Sequence, residues 1–207
     1  MKLYYCKTAG TNFGDVLNPW FWSNILDTEL STDISDSKII VGIGTIINDD
    51  IPDGKEIHIL GSGVGYRGKV PKIKPNWNIH CVRGPKSAEV LGINPNLGVA
   101  DPAILLSDMV NTNQSKKYKI SFMPHVGIDS LRLKKVFESA DINYISPLLP
   151  RDEIIDSVGS SEKLICSAMH GAILADTMRV PWKAIITSDE IFRFKWEDWC
   201  HSMSLEY

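Results

Sequence analysis

The feature of this sequence that most restricts its fold is the alternation of short β-rich runs with longer stretches of helical character. This alternation is typical of βαβ units that build a parallel sheet. The β-rich runs of the first half are Lys2–Cys6, Lys38–Val41, Glu56–Leu60, Asn78–Val82 and Leu97–Val99, and those of the second half are Tyr118–Met123, Asn143–Ile145, Leu164–Cys166 and Ala184–Ile186. We therefore predict an α/β protein with parallel sheets.

A polar stretch near the middle of the chain predicts a division into two domains. Residues 107–117 are rich in serine, asparagine and lysine and offer little to a core, as is typical of a linker. We expect an N-terminal Rossmann-like domain over residues 1–112. A C-terminal Rossmann-like domain, with the option that it is incomplete, is expected over residues 113–207.

Charge and composition exclude several classes of function. A formal charge of −3 gives no general attraction to nucleic acid or anionic lipid, so no nucleic-acid partner is expected. Apolar runs are short and the N-terminus lacks a signal-peptide core, so we expect a cytoplasmic protein. Neither the five histidines nor the cysteines show metal-ligand spacing, so we expect no metal, no cofactor and reduced thiols at Cys6, Cys81, Cys166 and Cys200.

Three helices can be predicted in the second half of the chain. Asp129 is placed to cap a helix that runs to Ala140, and another helix should begin near His170 and end before Pro181. The last stretch, Asp189–Met203, is apolar on more than one side because it contains Trp196 and Trp199 beside phenylalanines. This surface predicts docking on the first domain, a homodimer or a membrane-associated partner.

Ligands of parallel sheets bind beyond the carboxyl ends of the strands, so the turns there hold the candidate residues. Asn12, Gly14 and Asp15 follow the first predicted strand. Asp15 is a candidate general base toward a sugar hydroxyl. The alternative is that Asp15, with Asn18, only caps the first helix.

The turn Gly61-Ser62-Gly63 leaves two interpretations open. Tyr66 stands where a dinucleotide-binding motif has its third glycine, which weighs against an NAD site. Either the glycines only allow a tight loop, or their backbone N–H groups line an anion site. Gly42 and Gly44 have the same two interpretations.

Arg83 directly follows an apolar strand, where a charged side chain requires an anionic partner. One interpretation is a substrate carboxylate or phosphate held by the guanidinium. The other is a buried ion pair with an aspartate, for which Asp101 is the best candidate within the sequence. Asp101 is also placed to cap a helix that begins at Pro102.

Two histidines follow strands of the predicted second domain. His170 stands at the start of a helix, a position that suits proton transfer, although a buried core histidine is the alternative. His125 occupies the equivalent turn after an earlier strand. Ser167 and Gly171 flank His170 and are expected to contact the same ligand.

Four segments carry a family resemblance when taken in order: Asn12-Phe13-Gly14-Asp15, Val82-Arg83-Gly84 with Ser87, Ala100-Asp101-Pro102-Ala103, and Ser167-Ala168-Met169-His170-Gly171. Together they resemble bacterial polysaccharide pyruvyl transferases, and the late segment Phe194-Lys195-Trp196-Glu197-Asp198-Trp199 resembles the tail region of the short, exopolysaccharide-type members. The resemblance implies a GT-B-like pair of domains with phosphoenolpyruvate between them. It also implies that His170 is the general acid and that Arg83 serves the anionic donor.

The chain departs from the family pattern at Gly84 and at Ala168-Met169, so one cation for the phosphate is expected to come from elsewhere: Arg179, Lys183 or Arg193. The implied reaction places a pyruvate ketal on a lipid-linked or nucleotide-linked sugar, with peripheral association at the inner membrane face as an option. The alternatives are a GT-B glycosyltransferase that uses a nucleotide sugar, and a non-catalytic binding module of the same fold.

Overall fold

A computed structural model describes residues 1–7, 12–26, 30–31, 38–53, 56–65, 70–188 and 191–207. Tyr66 and the expected helix start at Asp189 lie outside these residues. The chain divides into two compact units. The first comprises Met1–Ala9, Gly14–Pro102 and Phe192–Tyr207, and the second comprises Gly10–Phe13 and Ala103–Ile191.

The first unit is built on a parallel sheet with the strand order β1-β2-β3-β4. The strands are β1 (Lys2–Tyr4), β2 (Lys38–Val41), β3 (Glu56–Leu60) and β4 (Trp77–Cys81). The helices are α1 (Phe13–Ile25), α2 (Pro85–Leu91) and, from the end of the chain, α6 (Arg193–Ser202). Apolar side chains of alternate strand positions, such as Ile57 and Ile59, are fully buried and form the core.

The second unit has a parallel sheet with the order β6-β5-β7-β8. Its strands are β5 (Ser121–Met123), β6 (Asn143–Tyr144), β7 (Leu164–Cys166) and β8 (Trp182–Ala184), and its helices are α3 (Leu131–Ser139), α4 (Arg151–Gly159) and α5 (Met169–Thr177). The chain moves outward from β5 to β6 and returns to the other side of β5 for β7. This reversal makes the gap between β5 and β7 a topological switch point.

The predicted α/β class and parallel sheets are confirmed, and β2, β3 and β7 have the predicted bounds. The predicted strand at Leu97–Val99 is wrong. Residues Pro95–Leu97 form a 3₁₀ helix that the Asn94 side chain caps, and only Gly98 bridges to Val82. The tight turn leaves too few extended residues for a strand.

The cap of α3 also differs from the prediction. Ser130, not Asp129, accepts the backbone N–H of Leu133. The Asp129 carboxylate instead accepts the hydroxyls of Tyr144 and Ser146, each at 2.5 Å. Burial raises the pKa of the Tyr144 phenol, and its hydrogen bond to Asp129 acts in the same direction.

The last helix does not present its two tryptophans to solvent. Trp196 and Trp199 are 0% exposed, and α6 packs against α2 of the first unit. Trp196 also stacks on Tyr207, with ring centroids 5.4 Å apart. The apolar surface from which a homodimer was expected is therefore covered within the chain, and Phe192–Tyr207 belong to the first unit although the sequence assigned them to the second domain.

Among the described residues, we find no helix with both the length and the apolar character needed to cross a bilayer.

Candidate functional site

The carboxyl edge of the first sheet is held together by Asn18 of α1. Its amide is fully buried, donates to the carbonyl of Ile43 at 3.1 Å and accepts the N–H of Ile43 at 2.6 Å. A Cβ on Gly42 would lie 2.1 Å from the Asn18 oxygen, so only glycine fits there. Asn18 therefore fixes the turn after β2, and the alternative that it caps α1 is wrong because it lies within the helix and its amide donates to the carbonyls of Gly14 and Asp15.

The turn Gly61-Ser62-Gly63 does not present all of its N–H groups to a ligand. The N–H of Gly61 donates to Cys81, and that of Gly63 donates to Gly44. The Ser62 hydroxyl is buried against the carbonyls of Val41 and Gly42, at 3.0 and 2.5 Å. The expectation of bare donors is thus wrong for both glycines, and this turn shapes the edge of the sheet, with Gly61 at a φ of +88°.

Arg83 lies at the centre of this edge and is 0% exposed. Its Nε donates to Asp198 at 3.1 Å and its Nη1 to the Thr45 hydroxyl at 2.7 Å. A Cβ on Gly63 would lie 2.2 Å from the guanidinium carbon, so that glycine lets the guanidinium pack on the turn. Of the two interpretations of Arg83, the buried ion pair is confirmed. The sequence suggested Asp101 as the partner, but the carboxylate that accepts from Nε belongs to Asp198.

Asp198 joins α6 to the start of α2. Besides Arg83, its carboxylate accepts the backbone N–H of Ser87 at 2.9 Å and the Ser87 hydroxyl at 2.5 Å. A Cβ at Gly84 would lie 2.0 Å from the backbone oxygen of Asp198. The glycine after Arg83, a departure from the family pattern, is therefore required by the close approach of α6.

Lys195 brings a second cation to this region. It lies one turn before Asp198 on α6 and is only 8% exposed. Burial lowers the pKa of its ammonium group to about 8, the charge of Arg83 acts in the same direction, and the charge of Asp15 opposes both. The sequence offered Arg179, Lys183 and Arg193 for this role, but Arg193 instead pairs with Glu197 at the surface.

The predicted residues of the first turn lie at the start of α1. Asp15 is in the first turn of the helix and is partly buried, Gly14 is buried, and Asn12 directly precedes the helix. Asp15 is near enough to Lys195 for its charge to act on that ammonium. Asp101 is fully buried immediately before the 3₁₀ helix Pro102–Asp108, the position expected of it.

In the second unit, the turns after β5 and β7 meet at the switch point. The backbone N–H of His125 donates to the Ser167 hydroxyl at 2.7 Å. The His125 ring nitrogen Nδ1 accepts the N–H of Gly127 at 3.2 Å and caps a short 3₁₀ helix. The structure therefore brings His125 and Ser167 together, as the shared edge of the sheet predicts.

His170 is the second residue of α5 and is partly buried. Gly171 is buried behind it, and a Cβ there would lie 2.5 Å from the Met123 sulfur of β5. Gly171 therefore lets the helix start pack closely on the sheet. That close packing fixes the backbone that carries His170.

No group of three or more histidine, cysteine, aspartate or glutamate side chains is placed to hold a metal ion within the described part of the chain. Cys166 is fully buried, and burial raises the pKa of its thiol.

The two parallel sheets define an α/β protein, a class in which ligands bind beyond the carboxyl ends of the strands. The polysaccharide pyruvyl transferase family model matches residues 12–189, and the chain belongs to that family. It is similar to the succinoglycan biosynthesis protein ExoV of Rhizobium meliloti (strain 1021), with 37% identity over 212 residues. The match covers 100% of this chain and 66% of the relative's length, so the chain spans slightly less than two thirds of that protein.

Lys195 and Asp198 are the residues of this region that sequence reasoning missed. Both belong to a stretch whose tryptophans drew attention to its apolar side. The signal that could have found them is that each directly precedes one of the two tryptophans and so lies on the apolar side of the helix, where a buried charge requires a partner.

Proposed function

We propose that this chain takes part in the transfer of the enolpyruvyl group of phosphoenolpyruvate onto a sugar of a polysaccharide precursor, which yields a pyruvate ketal. The observation that carries the proposal is the switch point of the second sheet, where the His125 N–H donates to the Ser167 hydroxyl and His170 is the second residue of α5. Ligands of open parallel sheets bind at such a point. Membership of the family supplies the reaction class.

In the proposed reaction, His170 donates a proton to the methylene carbon of the enol. The adjacent carbon becomes electrophilic, and one sugar hydroxyl adds to it and loses its proton to a base, for which we propose Asp15. The carbon–oxygen bond to phosphate then breaks, and inorganic phosphate leaves with the proton that Asp15 accepted. A second sugar hydroxyl closes the ketal ring, and its proton restores the acid.

The anionic groups of the donor require cationic side chains at the site. Arg83 shares its charge with the fully buried Asp198, so we assign it the role of positioning α6 and its neighbours. Lys195 is the second cation of that region, and we propose it as the anchor for phosphate or carboxylate. Asn12, Gly14, the turn Gly61-Ser62-Gly63, His125, Ser167 and Gly171 remain proposed contacts or supports of the ligands.

The proposal is tested by incubating the protein with phosphoenolpyruvate and candidate acceptors, both lipid-linked and nucleotide-linked sugars. Release of inorganic phosphate, together with an acceptor that gains the mass of one pyruvate ketal, is the expected result. Parallel incubations replace phosphoenolpyruvate with nucleotide sugars. Glycosyl transfer in these would identify a glycosyltransferase, and binding without turnover of any donor would identify a binding module.

A further inference from the structure

The helix α3 carries large apolar side chains that face solvent. None of its nine residues, all within the described part of the chain, is buried. Leu131 is 79% exposed and Val136 is 58% exposed, in contrast to the buried tryptophans of α6. A group of exposed apolar side chains on a folded protein marks a surface for a partner.

The exposed side of the second unit extends from α3 over its sheet. Phe122 of β5 stacks on Phe137 of α3, with ring centroids 4.0 Å apart, so Phe122 points to the α3 face. The register places Ile165 of β7 beside Phe122 and Lys183 of β8 beside Ile165, and residues paired in this way share a face. Ile165 is partly exposed and Lys183 is exposed. This face is therefore open to solvent over β7 and β8.

The helix α5 covers the same two strands from the opposite face. Met123 follows Phe122 in β5 and so points away from α3. A Cβ at Gly171 of α5 would lie 2.5 Å from the Met123 sulfur, so α5 packs on the Met123 side. Because α5 contacts both β7 and β8 from that side, it leaves the α3 face of these strands uncovered.

A groove of about 440 Å³ lies between α3 and the segment after β8. Arg132 of α3 and Thr187 both line it. Ile186, which precedes Thr187, is 60% exposed. The groove therefore offers an apolar recess beside a cation, and its apolar wall consists of Phe122, Ile128, Leu133, Val136 and Phe137.

The charge on α3 is positive, although the whole chain has a formal charge of −3. The helix carries three exposed cations and one carboxylate, Glu138, which pairs with Lys134 at 3.7 Å. At 3.6 residues per turn, one sector of about 140° contains both exposed apolar residues and the other two cations, while Lys134 and Glu138 flank it. That sector contains Leu131, Arg132, Lys135 and Val136.

We propose that this surface, formed by α3, the groove and residues 183–187, docks on a lipid bilayer that contains anionic phospholipid. The exposed apolar side chains of α3 and of Ile186 enter the interface, and a hydrocarbon chain of a lipid fills the groove. Arg132, Lys135 and Lys183 contact lipid phosphate groups. Helices that combine apolar and basic side chains bind membrane interfaces through buried apolar area and attraction to anionic lipid.

The charge favours a lipid surface over a second copy of this chain. A two-fold interface places the same patch of both subunits face to face. Arg132 and Lys135 would then stand opposite the cations of an identical patch, and like charges in contact repel. An anionic bilayer supplies the opposite charge and an apolar interior at the same time.

The surface is tested by co-sedimentation of the whole chain with vesicles. We expect binding to vesicles of phosphatidylcholine mixed with phosphatidylglycerol, weaker binding at high salt, and little binding to vesicles of phosphatidylcholine alone. Arg132→Gln and Lys135→Gln should each lower the partition coefficient about fivefold, since one cation near an anionic surface contributes about that factor. The matched control is Lys72→Gln, at an exposed position of the first unit, which should bind as the parent does.

The apolar contribution is tested separately. The double variant Leu131→Gln/Val136→Gln should lower the partition coefficient by about tenfold or more, because two side chains no longer leave water on binding. Val99→Gln, which changes a 54% exposed valine of the first unit, is its control and should bind as the parent does. All of these side chains are exposed, so the variants should keep the melting temperature of the parent.

Three results would overturn the proposal. The first is no binding of the parent to phosphatidylglycerol vesicles, or equal binding to both kinds of vesicle. The second is unchanged binding by the folded α3 variants. The third is a parent dimer, seen by sedimentation velocity without lipid, that the double variant abolishes, because the surface would then join two copies. None of these measurements uses phosphoenolpyruvate, so their outcome is independent of the proposed pyruvyl transfer.

Discussion

At the scale of single residues, Arg83 is fixed by contacts within the protein. Its guanidinium is fully buried, and the partner carboxylate of Asp198 is equally inaccessible. The free energy lost by taking both charges out of water is offset only by the attraction between them, which requires an intact pair. Substitution of either residue leaves an uncompensated buried charge.

Arg83→Ala should therefore lower the free energy of unfolding by about 3–5 kcal/mol, the usual effect of breaking a buried pair. Denaturant unfolding of Arg83→Ala, Asp198→Ala and the double variant measures this effect. The double variant should lose clearly less than the sum of the single losses. An Arg83→Ala protein of normal stability that binds phosphoenolpyruvate poorly would instead place the guanidinium on the ligand.

His170→Asn should leave the fold intact and reduce ketal formation by about a hundredfold or more, since a general acid contributes about that factor. The matched control is His201→Asn, which changes an exposed histidine of α6. Phosphate release and the melting temperature are measured for both variants. Near-normal turnover by folded His170→Asn would remove this residue from the mechanism.

Because its pKa is lowered in the folded protein, Lys195 should make the free energy of unfolding depend on pH. Its pKa in the folded protein is about 8, below the ordinary 10.5, so unfolding takes up a proton between these values. Raising the pH across this window should therefore increase the stability of the parent relative to Lys195→Met, whereas below pH 8 the difference stays level. Urea unfolding from pH 7 to 10 measures this difference. Lys183→Met, at an exposed position, is the control, and parallel curves for parent and Lys195→Met would refute the prediction.

At the scale of secondary-structure elements, α6 packs so closely on Gly84 that no side chain fits between them. The backbone of Asp198 lies where a side chain at position 84 would be. Gly84→Ala should therefore displace α6 and destabilise the first unit by about 1–3 kcal/mol, as overpacking does. Thermal unfolding is compared with Gly92→Ala, whose added Cβ meets no atom within 4 Å although its φ is +65°. Equal losses in the two variants would contradict the close contact.

The elements that the sequence predicted correctly are those with local signals. The strands β2, β3 and β7 are apolar runs that end in glycine or serine turns, and α5 ends before Pro181 as expected. The contacts of the site are not local: Arg83 and Asp198 are 115 residues apart. Such pairings depend on the packing of α6 and on strand register, which periodicity and turn residues do not encode.

At the scale of the whole molecule, the tryptophans of α6 belong to the interior of the first unit. Trp196→Ala should lower the free energy of unfolding by about 3–5 kcal/mol, as the removal of a buried large aromatic does. Because this side chain is covered within its own chain, the sedimentation coefficient at low micromolar concentration should stay that of the parent. Dissociation of a parent dimer on this substitution would show that Trp196 lies in an interface between subunits.

The first unit is discontinuous along the chain, because residues 103–191 are interposed between most of its elements and α6. During translation, the four strands of its sheet leave the ribosome long before the helix that covers their carboxyl edge. Arg83 is synthesised more than a hundred residues ahead of its counter-ion, so a nascent chain must carry that charge uncompensated while the second unit is made. The second unit can fold as it emerges, whereas the first can close only after the last segment has been synthesised.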